Sequence, residues 1–600
     1  MSSSVPSRES VILNVRVPEA ATLELHLLHG GCAKFQKLFV PEKIEQYNQE
    51  KAYRYQLPTG IIWNFIGNAL FFNENAPLKE YSIHLEFEFA EPARNFQREI
   101  QVQLRPRITS PAPTGDFQLY SWYSYPILRL DLDQGTMGKD LMKLWQDCGF
   151  RGGNGNLNIP DWSGYCDISN VFHYRHKDGI SLPASQTPDG NPAPLACLSV
   201  LNDLDSGFLQ GMQASERLTG LKTKRLVYDY EPYAGGAGWV TRACFCTRCR
   251  KDFAQQEGLP LLSAKEILTQ HEKAWVRFRC RQRAEFIKNI NALIKKTNPA
   301  AEFYLCSMPL PSPTDAERFY KEYGIDLKLC EPFVDGHMPM NYSPSLDFYY
   351  RQLQMALDLK KPLYPVLDNG WGANFHYQPE RSRGQLLASA FIGIKGIYFG
   401  AGLMRMDAAW LEMCHQTLTA IDRFQPLLDD SSIEQKTWTM QKGLFADGNV
   451  FTMTRYQEKS GVWLLFSVNN SPKQTAFAQL RPNQDAEKLF SRNYAVREFF
   501  SERQLWPDKT RTAFSKSELF DKGLPLQLPP FACSLLVCRP VEEGFSAAEG
   551  SGLVTYASDL RSAESNLREQ LENQYKPRSE FGMSSRMLPE GLELQTPSQT

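Results

Sequence analysis

Two carboxylates, Asp229 and Glu231, sit at the end of the apolar run Leu226-Val-Tyr-Asp-Tyr-Glu-Pro-Tyr. In an extended strand successive side chains point to opposite faces, so Val227, Asp229 and Glu231 share one side, with neighbouring Cα atoms about 6 to 7 Å apart. Carboxyls that close push each other's pKa values apart, leaving one protonated as a donor and one ionised as a stabiliser or base. Such a pair can cleave a glycosidic bond, with Glu231 as proton donor and Asp229 as the orienting or stabilising group. A third acid, Asp368, emerges in Pro365-Val-Leu-Asp-Asn-Gly-Trp and is the candidate nucleophile or base. The separation of the two working carboxyls decides between retention, at about 5 to 5.5 Å, and inversion, at about 6.5 to 9.5 Å, and the sequence leaves both open. The plainer reading has the first two acids capping the next segment or pairing with Arg225 or Arg242, and Asp368 turning the chain before Asn369-Gly370. Trp122, Tyr123, Tyr233, Tyr342 and Trp371 also fall at strand ends, where aromatic rings either stack on sugar faces or simply pack.

Downstream of Glu231, the stretch Cys244-Phe-Cys-Thr-Arg-Cys249 carries three thiols in C-x-C-x2-C spacing. Cys244, Cys246 and Cys249 can converge on one tetrahedral zinc ion, with the fourth ligand drawn from Cys197, Cys166 or His271. Four protein ligands would make the ion structural, pinning the loop; the alternative is ordinary reduced thiols. No redox cofactor is expected.

The elements that hold these residues follow from periodicity. Between Val11 and about Leu104, runs such as Leu13-Asn-Val-Arg-Val, Leu23-Glu-Leu-His-Leu and Ile83-His-Leu-Glu-Phe alternate apolar and polar residues, which predicts an N-terminal β-sandwich over residues 1–110. The proline-dense segment from Arg105 to Gly115 reads as a linker. Over 116–428, short apolar runs alternate with helix-period segments eight times, predicting a (β/α)8 barrel, with a doubly wound open sheet as the rival. The predicted strands are Leu119 to Ser124, Phe150 to Asn156, Ala196 to Leu201, Arg225 to Glu231, Glu302 to Ser307, Val334 to Asn341, Pro362 to Leu367 and Lys395 to Phe399. Barrel enzymes react at the C-terminal ends of their strands, where Glu231 and Asp368 fall, and the Gly-rich segment from Gly235 to Trp239 suits an active-site loop. Alternation returns over 432–540 as a second β-sandwich, and 541–600 reads as a polar, loosely ordered tail with one amphipathic helix near Leu560 to Tyr575.

Composition narrows the function. A formal net charge of -1 over 600 residues argues against nucleic acid as a partner. The most apolar long segment, Leu386 to Met404, is broken by Lys395 and glycines, so no membrane span is expected. The N-terminus lacks a basic region followed by an apolar run, and thirteen cysteines scattered along a long chain suit a reducing compartment, so the cytoplasm is the expected location. A homo-oligomer is compatible with the flanking β domains.

The strand-four acid followed by a C-x-C-x2-C loop and then a helix resembles the family 42 β-galactosidases among barrel glycoside hydrolases. That resemblance implies Glu231 as acid/base and Cys244, Cys246 and Cys249 as zinc ligands. Tyr230 stands where that family has Asn, and its strand-seven Glu nucleophile is absent, with only Asp368 in that neighbourhood. Asp229-Tyr-Glu231 is similar to the Asp-x-Glu of family 18 chitinase-like barrels, in which the Asp assists a substrate N-acetyl group, and Met338-Pro-Met-Asn-Tyr342 is similar to that family's strand-six motif. The combined expectation is a divergent glycosidase acting on a carbohydrate. The rival readings are a catalytically silent carbohydrate-binding barrel and a barrel metalloenzyme using the thiol cluster.

Overall fold

The computed structural model of the chain describes residues 11–29, 34–57, 66–73, 75–90, 92–106, 108–122, 143–154, 163–167, 176–177, 180–181, 184–203, 225–230, 241–308, 316–342, 346–356, 358–369, 379–400, 406–429, 438–441, 443–490, 492–541 and 553–574. They fall into two compact units, Met1–Asp429 and Asp430–Thr600. No helix among the described residues is long and apolar enough to cross a membrane.

The first unit opens with two antiparallel sheets. Strand Val11–Pro18 buries Val11, Leu13, Val15 and Val17 on one face and pairs with Glu50–Leu57 and Glu80–Glu88. Lys43–Tyr47 and Phe96–Gln103 form the edges of this five-stranded sheet. Their charged, largely exposed side chains discourage pairing with another chain. A three-stranded sheet of Lys34–Phe39, Ala21–His29 and Ile66–Phe72 contributes Leu23, Leu25 and Phe39 to the same apolar core. The proline-dense segment that follows is fastened to the last helix of the unit, Ala408–Leu428: Arg105 pairs with Glu412 at 2.7 Å, Ser110 Oγ lies 2.6 Å from His415 Nε2, and the Thr114 and Gly115 amides each donate to Asp422 at 2.8 Å.

Eight parallel strands follow: β1 Gln118–Ser121, β2 Phe150–Asn154, β3 Ser163–Asp167, β4 Arg225–Asp229, β5 Glu302–Ser307, β6 Gly336–Pro339, β7 Val366–Leu367 and β8 Gly396–Phe399. Their order in the sheet is β6-β5-β4-β3-β2-β1-β8-β7. The two end strands are also bridged in parallel, His337 to Leu363 and Met340 to Val366. Three backbone bonds hold those bridges: His337 N to Pro362 O and Tyr364 N to His337 O at 2.9 Å, and Asn341 N to Val366 O at 2.8 Å. One face of the sheet contributes a single cluster of Tyr120, Trp122, Val227, Tyr304, Cys306, Met338, Met340, Val366 and Tyr398, and we call this face the inner one. Among the described residues of this unit, the longer helices are α1 Thr247–Glu257, α2 Ala264–Gln270, α3 Glu272–Thr297, α4 Ala316–Tyr323, α5 Leu346–Ala356, α6 Pro379–Phe391 and α7 Ala408–Leu428. The long helix α3 has no Gly or Pro, buries Trp275, Phe278, Phe286, Ile287 and Ile290 at helical spacing, and ends where Asn298-Pro299 cannot continue it.

Two expectations are corrected. The third strand is Ser163–Asp167, not Ala196–Leu201: Pro192–Ala196 pairs back on Ala184–Gln186 as a hairpin, and Leu198–Leu201 is a helical turn. The run Ala196-Cys-Leu-Ser-Val-Leu is apolar because Cys197, Leu198 and Leu201 are buried, whereas Ser163-Gly-Tyr-Cys-Asp has no apolar run to announce it. Also, part of the expected loose tail is folded. In the second unit, Val554–Tyr556 pairs with Gln504–Trp506, and the helix Ala557–Gln574 follows it. Ala557 is fully buried, Leu560 packs on the same core, and Arg561 donates to Gly523 O at 2.7 Å. A polar segment with one apolar stripe forms a helix when a sheet is there to receive it. Val554–Tyr556 is the parallel edge strand of a six-stranded, otherwise antiparallel sheet, which with a three-stranded antiparallel sheet surrounds Trp463, Trp438, Phe490 and Tyr494.

Candidate active site and thiol cluster

Alternation along β4 sets the geometry. Val227 lies in the inner cluster, so Arg225 and Asp229 share its face, and Leu226, Tyr228 and Tyr230 face the helices. The parity is visible at both ends. Arg225 lies over the rings of Tyr120, Tyr304 and Tyr364 at 4.8, 5.4 and 5.4 Å, while Tyr228 meets Phe286 of α3 edge-on at 5.9 Å. Burial works against the Arg225 charge, and the ring faces around it together with Glu302, paired at 2.9 Å, offset that cost. A cation stacked on aromatic faces therefore fills the inner face at the N-terminal ends of the strands.

At the C-terminal ends the inner face changes character. Asp229 ends β4, and Asp368 follows β7 with the parity of Val366. Tyr342 packs on the inner cluster beside Gly400, where an added Cβ would stand 3.5 Å from the Tyr342 ring and 3.0 Å from Leu367 O. Trp122 is 6% exposed and edge-on to Tyr398 at 6.4 Å, so its ring is packed into the cluster. Thus Asp229, Asp368, Tyr342 and Trp122 come from β4, β7, β6 and β1 to one end and one face of the sheet. Glu231, Tyr123, Tyr233 and Trp371 lie outside the described residues.

The thiols of the cysteine loop come together with Cys197, and the four sulfurs lie within 4.8 Å of one another. Cys197 Sγ is 3.6 Å from Cys246 Sγ and 3.5 Å from Cys249 Sγ. A disulfide needs about 2.05 Å. A tetrahedral metal with bonds of about 2.3 Å to sulfur needs edges of about 3.8 Å, so the donor set fits one metal ion with all four positions filled by protein. The sequence explains the convergence locally. Cys246 caps the N-terminus of α1 and accepts from the Cys249 amide at 3.5 Å. The hairpin that places Cys197 also brings the Gln186 amide 3.2 Å from Cys244 Sγ, and Phe245 N donates to Gln186 O at 2.7 Å. Hydrogen bonds from Cys197 and the other two thiols hold Cys244 well below the ordinary thiol range, and the Cys197 thiol brings Cys246 down to about 7. Cys197, donating to them, is pushed up.

Of the candidates for fourth ligand, Cys197 is the one in the cluster. His271 joins α2 to α3 away from it, and the Cys166 side chain lies outside the described residues. No spacing in the sequence singles out Cys197, because the hairpin that delivers it reads as part of a strand. Sequence reasoning also missed Arg279, buried on α3 with Nη1 3.7 Å from Cys249 Sγ, and Ser199, whose Oγ lies 3.2 Å from the same sulfur. The signal available was arginine at 277, 279, 281 and 283 of a helix, where 279 and 283 share a face.

No protein-family model matches the chain, and no curated protein matches it. Among solved structures it is similar to a GH36 α-galactosidase from Geobacillus stearothermophilus, at 9% identity and a TM-score of 0.39 over 88% of this chain and 76% of that one. It is similar to a β-galactosidase from Halorubrum lacusprofundi at 12% identity and a TM-score of 0.36, over 51% of this chain and 58% of that one. A third likeness, again 12% identical with a TM-score of 0.36, is to the PgaB glycoside hydrolase domain from Bordetella bronchiseptica, over 51% of this chain and 97% of that one.

Proposed function

We propose that the chain is a glycoside hydrolase whose eight parallel strands close into a (β/α)8 barrel between two β-sandwiches, with Glu231 as proton donor. What supports this reading is strand parity: Asp229 and Asp368 follow Val227 and Val366 of the inner cluster by two residues, at the C-terminal ends of β4 and β7, opposite an end filled by Arg225. The parallel bridges between β6 and the segment leading into β7 support closure. Continued alternation past Asp229 and Tyr230 would bring Glu231 to the face of Asp229. There Glu231 protonates the leaving oxygen as the bond to the anomeric carbon breaks. Asp229 keeps that proton on Glu231 by its own negative charge and stabilises the developing positive charge on the sugar, and Asp368 attacks or deprotonates water from across the mouth. Tyr342, with Tyr123, Tyr233 and Trp371, would offer rings and hydroxyls to the sugar.

Zinc, held by Cys197, Cys244, Cys246 and Cys249, would serve as a structural pin on the loop after β4. Four sulfurs leave no open position for substrate or water, which weighs against a metalloenzyme. Thiol ligands suit a reducing compartment such as the cytoplasm. The test is hydrolysis of a panel of aryl glycosides and natural oligosaccharides by the wild type, Glu231→Gln and Asp368→Asn. Each substitution is expected to lower kcat by about 10² to 10⁴-fold with the fold intact. Full activity in Glu231→Gln would overturn the assignment, and sugar binding without cleavage by the wild type would favour a carbohydrate-binding barrel.

A further inference from the structure

The thiol cluster touches helix α3 at one turn, and β4 touches the same helix at the next. Arg279 Nη1 reaches Cys249 Sγ at 3.7 Å and also donates to Gln282. Gln282 Nε2 donates to Ser199 Oγ at 2.7 Å, and Ser199 Oγ is 3.2 Å from Cys249 Sγ, so the sulfur, the arginine, the amide and the hydroxyl form one closed circuit. One turn on, Arg283 donates from Nη1 to the Tyr228 hydroxyl at 3.0 Å and from Nη2 to the Tyr230 hydroxyl at 3.2 Å. Its guanidinium lies 4.3 Å from the Tyr230 ring centre, and the Tyr230 hydroxyl in turn donates to Tyr323 O. These two tyrosines are the outward residues of the strand whose inward residues are Arg225, Val227 and Asp229.

We propose that Arg279 and Arg283 are positioning residues that clamp β4 to the metal-bound loop through one turn of α3. The metal would then fix the height and tilt at which β4 presents its carboxylates, although it lies on the outer side of the strand. Four thiolates around a divalent ion carry a net charge of -2, and a buried guanidinium supplies a counter-charge and an N–H to sulfur. The planar fork of Arg283 spans two hydroxyls at once, which the single ammonium of lysine cannot do in that geometry. What the clamp does for catalysis rests on the glycosidase reading; the clamp itself does not, and neither readout below needs a sugar.

The experiment is hydrogen–deuterium exchange of the backbone over residues 225–230, with zinc bound and after chelation, alongside zinc competition with a chromogenic chelator. In the wild type, chelation should speed exchange in 225–230 at least 10-fold, while Gln118–Ser121 and Gly396–Phe399 on the far side of the sheet stay protected. Arg279→Met should weaken zinc binding by about 10 to 100-fold, with Arg279→Lys recovering most of it. Arg283→Met should hold zinc as tightly as the wild type, yet exchange quickly at 225–230 before any chelation, and Arg283→Lys should fall between. The clamp is overturned by a wild type that binds no metal, by chelation that loosens 241–258 alone, by a rise spread evenly over every strand, or by Arg283→Met indistinguishable from wild type. If the clamp fails while Glu231→Gln abolishes hydrolysis, the glycosidase reading stands; if the clamp holds and no glycoside is cleaved, that reading falls alone.

Discussion

Replacing Cys197 by alanine tests whether the cluster is a metal site and whether the hairpin contributes its fourth ligand. Its sulfur lies 3.6 Å from Cys246 Sγ and 3.5 Å from Cys249 Sγ, so it occupies a corner of the tetrahedron that no other side chain in the cluster can fill. Structural zinc in thiolate and imidazole sites is worth about 10 to 16 kcal/mol, or about 2.5 to 4 kcal/mol for each of four ligands. At about 1.4 kcal/mol per tenfold, losing one ligand should weaken zinc binding by about 10² to 10³-fold, with water entering the fourth position setting the lower figure. Zinc that stabilises only the folded unit should then protect it less at fixed free metal, by about RT times the logarithm of that ratio. The assay is competition against a chelator of known affinity on protein purified under reducing conditions, with metal content measured directly. Cys148→Ala is the matched control, since Cys148 is equally buried but outside the cluster. Retention of zinc by Cys197→Ala at wild-type affinity, or a wild type that takes up no zinc, would refute the reasoning.

Two further outcomes follow from buried charge. His337 is fully buried, and burial lowers its pKa from 6.5 to about 4, so the unfolded chain binds more protons than the folded one between those values. The stability it contributes is intact above about 6.5 and is lost as pH falls toward 4, by about 3 kcal/mol at most; His337→Leu should flatten that slope in urea titrations at pH 7 and 4.5, and an unchanged slope would discount the histidine. Glu302→Ala should destabilise by about 2 kcal/mol, because it strands Arg225 among the tyrosines while the Glu302 side chain is already 31% exposed. Arg225→Met combined with Glu302→Ala should be more stable than Glu302→Ala alone, and a double variant that is worse than the single would mean the cation is worth more than its desolvation.

The sequence was most legible where one physical signal acted alone. Glu302 to Ser307 is a strand in both readings because its apolar residues have neighbours on both faces, and Val11 to Pro18 is one because its residues alternate in burial. Ala196 to Leu201 misled because an apolar run reports burial, not backbone geometry, and Cys197, Leu198 and Leu201 are buried in the helical turn that follows the hairpin instead of in the parallel sheet. Ser163 to Asp167 was hidden for the converse reason: its strand character is visible only in its pairing with β2 and β4. Three of the four clustered cysteines could be read from local spacing, and the fourth could not, because Cys197 lies 47 positions before Cys244 with all of β4 in between. The helix after 553 was visible as periodicity; what was missing was the surface that receives it.

The placement of Arg225 and Asp229 on β4 follows from one property of strands. Because neighbouring residues face opposite ways, a six-residue segment can serve two environments without compromise: Arg225, Val227 and Asp229 share the face of the inner cluster, while Leu226, Tyr228 and Tyr230 share the opposite one, where the two tyrosines meet α3. A carboxylate at the strand's end is only as well placed as the strand, and hydrogen bonds along the ladder resist sliding of the strand better than they resist its rocking about its own axis. Rocking is opposed by contacts on the outward face, and here those contacts are directional: two tyrosine hydroxyls gripped by one guanidinium, in place of aliphatic side chains that would tolerate several orientations. That is why the outward residues of this strand are as informative about its inward chemistry as the acids themselves. An apolar pair at Tyr228 and Tyr230, such as Phe at both, should leave the core volume nearly unchanged, yet release the strand from Arg283.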